Sequence, residues 1–168
     1  MALSIYWFGS LDRYLIITDN FLETIPDLDF QDNRSYWSDP IPFLPSTVCG
    51  DLSKTIGIEW WCTSISSKDT IEDLASTGNL SLFWHRDDDC LDGHLPLGGG
   101  VLYILDGPVE GGLLLPWNIE PVHNRFVSFD VTEYHAVSEV FSGVRNSLTL
   151  NFWDKKILGI ADRPIPWA

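Results

Sequence analysis

The alternation of apolar and polar positions changes character about halfway along the chain. In the first half, the β-branched run 14–18 and the segment 56–64 predict strands, and residues 67–75 predict a short helix. The stretch 27–45 is rich in Asp and Pro and predicts a loop. The N-terminal half is therefore expected to form a small α+β cap.

In the second half, short apolar runs alternate with turn residues. The predicted strands are 80–84, 100–105, 112–115, 125–129, 135–140 and 147–152. Several short strands at this spacing are typical of a sandwich or barrel rather than of βαβ units. The pattern predicts a mainly β fold with an antiparallel jelly-roll core over residues 79–153. The length of 168 residues fits a single domain.

The composition indicates a folded protein with an acidic surface. Apolar residues make up 45% of the chain and aromatic residues 13%, which is enough for a packed core. The formal net charge is −14. Such a surface disfavours nucleic acid, whose phosphates are bound by Lys and Arg, and it also disfavours anionic membranes. It would attract a cationic partner.

Cysteine usage and the N-terminal residues favour a cytoplasmic location. The three cysteines are Cys49, Cys62 and Cys90, an odd number without a C-x-x-C pair. Neither a disulfide framework nor a cysteine-type zinc site is expected from this pattern. The sequence also has no signal-peptide pattern and no apolar run near the ~20 residues that span a bilayer.

Two histidines and an aspartate form a candidate metal site. His85 and Asp87 are two positions apart, so in an extended chain their side chains point to the same side. His135 opens a later predicted strand and could supply a third ligand. Two imidazoles and one carboxylate form the facial triad of non-haem iron(II) sites, which leaves coordination positions open.

A basic residue on the last long strand is a candidate anion ligand. Arg145 follows a turn, and its guanidinium could bind a carboxylate through two parallel hydrogen bonds. Ser147 lies two residues on, so it would share the same side of the strand and could add a hydroxyl contact.

The order of these segments resembles the prolyl-hydroxylase-like branch of the 2-oxoglutarate/iron(II)-dependent oxygenases. The resemblance covers residues 80–152 most clearly. Its matching segments are Leu82-Phe83-Trp84-His85-Arg86-Asp87, Val101-Leu102-Tyr103-Ile104-Leu105-Asp106, Gly111-Gly112-Leu113-Leu114-Leu115-Pro116, Asn124-Arg125-Phe126-Val127-Ser128-Phe129-Asp130, His135-Ala136-Val137 and Arg145-Asn146-Ser147-Leu148.

The resemblance implies a double-stranded β-helix with iron(II) held by His85, Asp87 and His135. It implies that Arg145 binds the distal carboxylate of 2-oxoglutarate. A tyrosine on the long strand often shares that task. Tyr103 is the candidate, but an alternative register would put Ile104 there, and a slip of one residue reverses the side that a residue faces.

The implied activity is hydroxylation of an amino-acid residue, prolyl or other, in a peptide, a protein or a small molecule. O2 would be the second cosubstrate, and ascorbate is an additional candidate cofactor. Substrate contacts are expected near the mouth of the site. The candidates are Trp84, Arg86, Tyr134 and Trp153.

Two other functions use the same kind of fold. One is a cupin-like module that binds a metal or another ligand without catalysis, because one fold hosts many functions. The other is oxidative demethylation of nucleic acid, which the charge of −14 disfavours. Arg145 and Ser147 favour the oxygenase, since a binding module needs no 2-oxoglutarate clamp.

Overall fold

The computed structural model describes residues 2–8, 13–32, 34–41, 47–79, 81–89 and 91–167. β-Strands are the main regular secondary structure of these residues, and α1 (Ile71–Ser76) is the one α-helix among them. The strands are β1 (Ala2–Phe8), β2 (Arg13–Asp19), β3 (Tyr36–Ser38), β4 (Cys49–Gly50), β5 (Gly57–Ser66), β6 (Gly98–Tyr103), β7 (Glu110–Gly111), β8 (Leu114–Leu115), β9 (Arg125–Phe129), β10 (Ala136–Val137), β11 (Val140–Ser142), β12 (Val144–Trp153) and β13 (Ala161–Asp162). A short 3-10 helix covers Leu52–Lys54.

One large mixed sheet contains most of the strands. It has nine strands, eight of them in the order β1-β2-β9-β6-β12-β5-β3-β13, with β4 paired to β6. All its pairs are antiparallel except β13 with β3. Two small antiparallel pairs, β8 with β10 and β7 with β11, lie outside this sheet.

The large sheet has a different apolar cluster on each side. Alternate residues of a strand face opposite sides, and Leu148, Leu150 and Phe152 of β12 belong to one cluster. Residues of the segment after β2, including Phe21, and Trp167 near the C-terminus pack against that cluster. The odd-numbered residues of β12 face the other side, where a second cluster contains residues of β2, β6, β8 and β9. The candidate site lies on this second side.

The prediction of a mainly β fold is confirmed, but the N-terminal half is not a separate cap. Strands β2 and β5 confirm the predicted strands 14–18 and 56–64, and both belong to the large sheet. The predicted helix forms as α1, shorter than expected, and begins after Thr70, whose side chain accepts a hydrogen bond from the Asp73 backbone N–H. The N-terminal half therefore completes the sheet that supports the site.

The predicted strand 80–84 is wrong for residues 81–84, which form turns. Only His85 pairs there, in an isolated bridge with His135. The strand was predicted because the run is apolar, but Phe83 and Trp84 are exposed rather than buried. The predicted strand 135–140 is divided between β10 and β11.

Gly57 lies against a buried ring that leaves no space for a Cβ atom. A Cβ atom there would lie 1.9 Å from Cζ2 of Trp37, whose ring is buried and cannot move freely. We expect Gly57→Ala to lower the free energy of unfolding by about 1–3 kcal/mol. Gly107→Ala is the matched control, because nothing lies within 4 Å of its Cβ position. Urea unfolding of both variants measures the difference, and equal stabilities would contradict the packing.

Two of the cysteines, Cys49 and Cys62, are buried. Burial raises the pKa of Cys49 to about 11 and the pKa of Cys62 to about 12. Because the thiolate is the reactive form, we expect neither residue to react with a thiol reagent at pH 8 unless the protein is denatured. Mass-spectrometric mapping of the label checks this; rapid native labelling of Cys62 would contradict it. Cys90 lies outside the described residues.

Within the described part of the chain, no helix has the length and apolar character needed to cross a lipid bilayer.

Candidate functional site

The two predicted histidine ligands are joined through their backbones. His85 N donates to His135 O at 3.0 Å, and His135 N donates to His85 O at 2.8 Å. This antiparallel bridge places the two imidazole rings 4.4 Å apart, centre to centre. Asp87 N donates to Val131 O at 2.9 Å, which fixes the backbone of the third residue beside them.

Both imidazoles are oriented by main-chain carbonyls. Nδ1 of His85 lies 2.7 Å from Phe83 O, and Nδ1 of His135 lies 2.8 Å from Glu133 O. A carbonyl only accepts, so each Nδ1 carries the proton and donates it. In the neutral imidazole with this tautomer, Nε2 keeps its lone pair, which is the form of histidine that binds a metal.

The three side chains converge on one small volume. Oδ1 of Asp87 lies 3.8 Å from Nε2 of His85 and 3.9 Å from Nε2 of His135. The candidate ligand atoms of the three residues all lie within 4.8 Å of one another. Ligand atoms about 2.1 Å from a shared ion, in adjacent positions, are about 3 Å apart. If each candidate ligand atom moved by less than about 1 Å, all three could therefore bind one metal ion.

Burial adjusts the charge state of His135. Its removal from water lowers its pKa, which is the largest effect; the carboxylate of Asp87 raises the pKa, and His85 lowers it again. The ring of Phe129 packs edge-on against His135, with ring centres 4.9 Å apart. A buried imidazole held neutral at physiological pH is suited to donate its lone pair to a metal.

Arg145 is buried without an anionic partner among the described residues. The residue is 1% exposed. Its guanidinium donates to the carbonyl of Gly112 at 3.0 Å, to the hydroxyl of Ser147 at 3.0 Å and, more weakly, to the hydroxyl of Tyr103 at 3.5 Å. These acceptors are all neutral. A buried charge without a counterion is costly, so this arrangement is suited to an anionic ligand.

The structure places Tyr103, not Ile104, on the side of Arg145. The guanidinium carbon of Arg145 lies 4.9 Å from the centre of the Tyr103 ring. Tyr103 is directly opposite Ser147 in the pairing of β6 with β12. Ile104 belongs to the apolar cluster on the other side of the sheet. Of the two registers left open by the sequence, the one with Tyr103 facing Arg145 is therefore found.

Gly112 makes room for the Arg145 side chain. Its φ is +63°, and a Cβ atom there would lie 2.8 Å from Cδ of Arg145. The glycine directly follows β7 and lies two residues before β8, which pairs with β10. Because β10 begins directly after His135, this strand pair joins the surroundings of Arg145 to the His85–Asp87–His135 group.

The four expected substrate contacts lie in different surroundings. Trp84 and Tyr134, each adjacent to a histidine of the triad, are 56% and 62% exposed. Arg86 is exposed as well, and its Nε lies 3.3 Å from Asp88. Trp153 is 1% exposed and packs in a small apolar cluster with Trp37. The core therefore encloses the ring of Trp153, whereas the other three candidates are exposed, and the substrate contacts stay a prediction.

The acidic run after Asp87 is partly structural. Asp89 is buried, and its carboxylate lies 2.7 Å from Nζ of Lys155, which also lies 2.6 Å from Asp92. These ion pairs hold the pKa of both carboxyl groups below the usual range. Lys155 follows β12 closely, so it ties the loop after Asp87 to the end of the strand that carries Arg145.

Sequence reasoning did not single out Asn151 or the role of Gly112. Asn151 lies on the same side of β12 as Arg145 and Ser147, and its Nδ2 donates to Oδ2 of Asp87 at 3.0 Å. The signal was present, because positions two apart on a strand share a side. Extending the series from Arg145 and Ser147 reaches Asn151.

Comparisons with protein-family models, with curated proteins and with solved structures find no match for this chain.

Proposed function

We propose that the chain is an iron(II)- and 2-oxoglutarate-dependent oxygenase that hydroxylates an amino-acid residue. The observation that carries the proposal is Arg145, a buried guanidinium with only neutral partners among the described residues. It lies on the same side of β12 as Asn151, which contacts the His85–Asp87–His135 group. Arg145 on β12 has no anionic partner among the described residues, and the candidate metal ligands lie against the same side of that strand. This arrangement fits a cosubstrate that binds both.

The three candidate ligands fit ferrous iron. They offer two imidazole nitrogens and one carboxylate oxygen, a donor set that suits non-haem iron(II) and leaves coordination positions open. A structural zinc site would more often have four protein ligands. Among the described residues, the group of candidate ligands consists of these three.

The surroundings of Arg145 fit the distal carboxylate of 2-oxoglutarate. The guanidinium forms two hydrogen bonds of 3.0 Å, through Nε and Nη1, and a longer contact to Tyr103. The Ser147 hydroxyl is itself 2.8 Å from the hydroxyl of Thr63, so its orientation is fixed. A carboxylate would receive charge-assisted hydrogen bonds from this cluster and would neutralise the buried charge.

The arrangement of strands supports a double-stranded β-helix. In the large sheet, β5, β12, β6 and β9 are neighbours in that order. In the second layer, His85 pairs with His135, β10 pairs with β8, and Leu114 pairs with Ile119. Successive segments of the chain thus alternate between the two layers, as they do in a jelly roll. The site would lie between the layers.

When bound, ferrous iron and 2-oxoglutarate supply oxidative chemistry in which one O2 yields succinate, CO2 and a hydroxylated substrate. The residues of the chain bind and orient. His85, Asp87 and His135 would hold the metal, and Arg145 with Ser147 would fix one end of the cosubstrate. Tyr103, beside Arg145, and Phe129, beside His135, belong to one buried apolar cluster, which would keep water from the site.

The acidic surface favours a cationic substrate. The net charge is −14, and exposed or half-buried acids such as Asp88 and Glu133 are close in sequence to the ligands. A peptide or protein segment rich in Lys or Arg would be attracted by this field. The same charge disfavours nucleic acid.

Turnover with peptide substrates tests the proposal. The protein is incubated with iron(II), 2-oxoglutarate, ascorbate and O2 and with proline-containing peptides of basic, neutral and acidic composition. We expect succinate, and a mass increase of one oxygen atom in a basic peptide. Firm metal binding without 2-oxoglutarate consumption under any of these conditions would support the cupin-like binding module instead.

A further inference from the structure

Asn151 contacts the carboxylate of Asp87 directly. It is 2% exposed, and its Nδ2 lies 3.0 Å from Oδ2 of Asp87. A carboxylate accepts hydrogen bonds and cannot donate them, so the amide nitrogen must be the group that faces it. The contact joins β12 to the segment that carries two of the three candidate metal ligands.

The two oxygens of Asp87 have different surroundings. Oδ1 faces Nε2 of both His85 and His135, at 3.8 Å and 3.9 Å. Oδ2 accepts the hydrogen bond from Asn151. The backbone N–H of Asp87 is held by Val131 O. With the backbone and Oδ2 both held, Oδ1 is the oxygen that the side chain turns towards the two histidines.

The position of Asn151 is costly for packing alone. Its Oδ1 is buried and has no hydrogen-bond partner among the described residues. An unsatisfied buried carbonyl destabilises a fold, and an apolar side chain of similar shape would avoid that cost. A Cβ on Gly99 would lie 2.5 Å from this oxygen, so the glycine leaves space for the amide. The residue is therefore suited to its contact with Asp87 rather than to the core.

We propose that Asn151 is a positioning residue that makes Asp87 a monodentate metal ligand through Oδ1. The inference rests on the metal site of the proposed function. By holding Oδ2, Asn151 prevents the carboxylate from turning both oxygens to the ion, and so leaves coordination positions open for other ligands. Partners of this kind outside the ligand set tune metal sites in general.

Metal affinity, measured without turnover, tests this role. Ni(II) is a suitable probe because it binds nitrogen and oxygen sites more tightly than iron(II), so weakened variants stay measurable. We expect Asn151→Leu to weaken Ni(II) binding by about 10- to 100-fold in calorimetric titration. Asn146→Leu is the matched control, since Asn146 is buried on the same strand but faces the other side. Its Ni(II) affinity should equal that of the wild type.

A double-variant cycle separates positioning from a general structural effect. If Asn151 acts through Asp87, then Asn151→Leu should change the affinity little in a protein that already carries Asp87→Ala. If the leucine variant does not fold, Asn151→Ser, whose hydroxyl is too short to reach Asp87, replaces it.

These measurements distinguish failure of the Asn151 positioning role from failure of the metal site. Wild-type affinity in Asn151→Leu would overturn the positioning role and leave the metal site intact. An equal loss in the Asp87→Ala background, or in Asn146→Leu, would also overturn it. A wild-type protein that binds neither Ni(II) nor iron(II) would instead remove the proposed function itself.

Discussion

Replacing His135 by alanine is expected to abolish succinate formation and to reduce iron(II) affinity by more than about 100-fold, the upper end of what the loss of an outer partner costs. His135 is buried, and its Nε2 faces Oδ1 of Asp87. Its Nδ1 proton is donated to Glu133 O, so the Nε2 lone pair has no other use among the contacts described. Calorimetry under anaerobic conditions and a succinate assay measure the two effects.

The matched control is His123→Ala. His123 is exposed, and its Nδ1 accepts a hydrogen bond from Leu105 N, so it is occupied away from the triad. Iron affinity and turnover should stay at the wild-type level in this variant. If His135→Ala kept wild-type turnover, the His85–Asp87–His135 group could not be the metal site.

Replacing Arg145 by leucine is expected to weaken 2-oxoglutarate binding at least about 30-fold. Removing one partner of a buried, hydrogen-bonded charge pair costs about 2–5 kcal/mol, and each 1.4 kcal/mol is a factor of about ten. Because Arg145 would contact the cosubstrate and not the metal, iron(II) affinity in the absence of 2-oxoglutarate should change little. Equilibrium binding of 2-oxoglutarate to the iron-loaded protein measures the effect.

Two further variants define the role of the Arg145 guanidinium. Arg145→Lys keeps the charge but loses the two-pronged geometry, so its loss of affinity should be intermediate. Arg125→Leu is the matched control, because Arg125 is already paired with Asp19, with Nε 2.6 Å from Oδ1. If Arg125→Leu and Arg145→Leu weakened 2-oxoglutarate binding equally, the buried cation would have no specific role.

The parts of the fold that follow a local pattern could be predicted from the sequence. The run 125–129 is short and largely buried, follows the turn signal at Pro121, and forms β9 with those bounds. Residues 81–84 show why pattern alone is insufficient, since Phe83 and Trp84 are apolar but exposed beside the metal group. The incorporation of β2 and β5 into the large sheet depends on pairing with β9 and β12, distant in sequence. Local periodicity does not contain that information.

For the candidate site too, local features could be predicted from the sequence and long-range contacts could not. His85 and Asp87 follow from the two-residue period, whereas their approach to His135 depends on an isolated backbone bridge between distant segments. The choice between Tyr103 and Ile104 required the register of β6 against β12. The burial of Trp153 and the pairing of Asp89 with Lys155 depend on side-chain packing, which composition and spacing do not determine.

The most direct test of the central claim is an anaerobic titration of the protein with iron(II) and then 2-oxoglutarate, followed by visible absorption. Chelation of 2-oxoglutarate to ferrous iron produces a weak metal-to-ligand charge-transfer band. We expect this band in the wild type, its loss in His135→Ala and its weakening in Arg145→Leu at the same 2-oxoglutarate concentration. Iron binding without any band on addition of 2-oxoglutarate would contradict the assignment of 2-oxoglutarate as the cosubstrate.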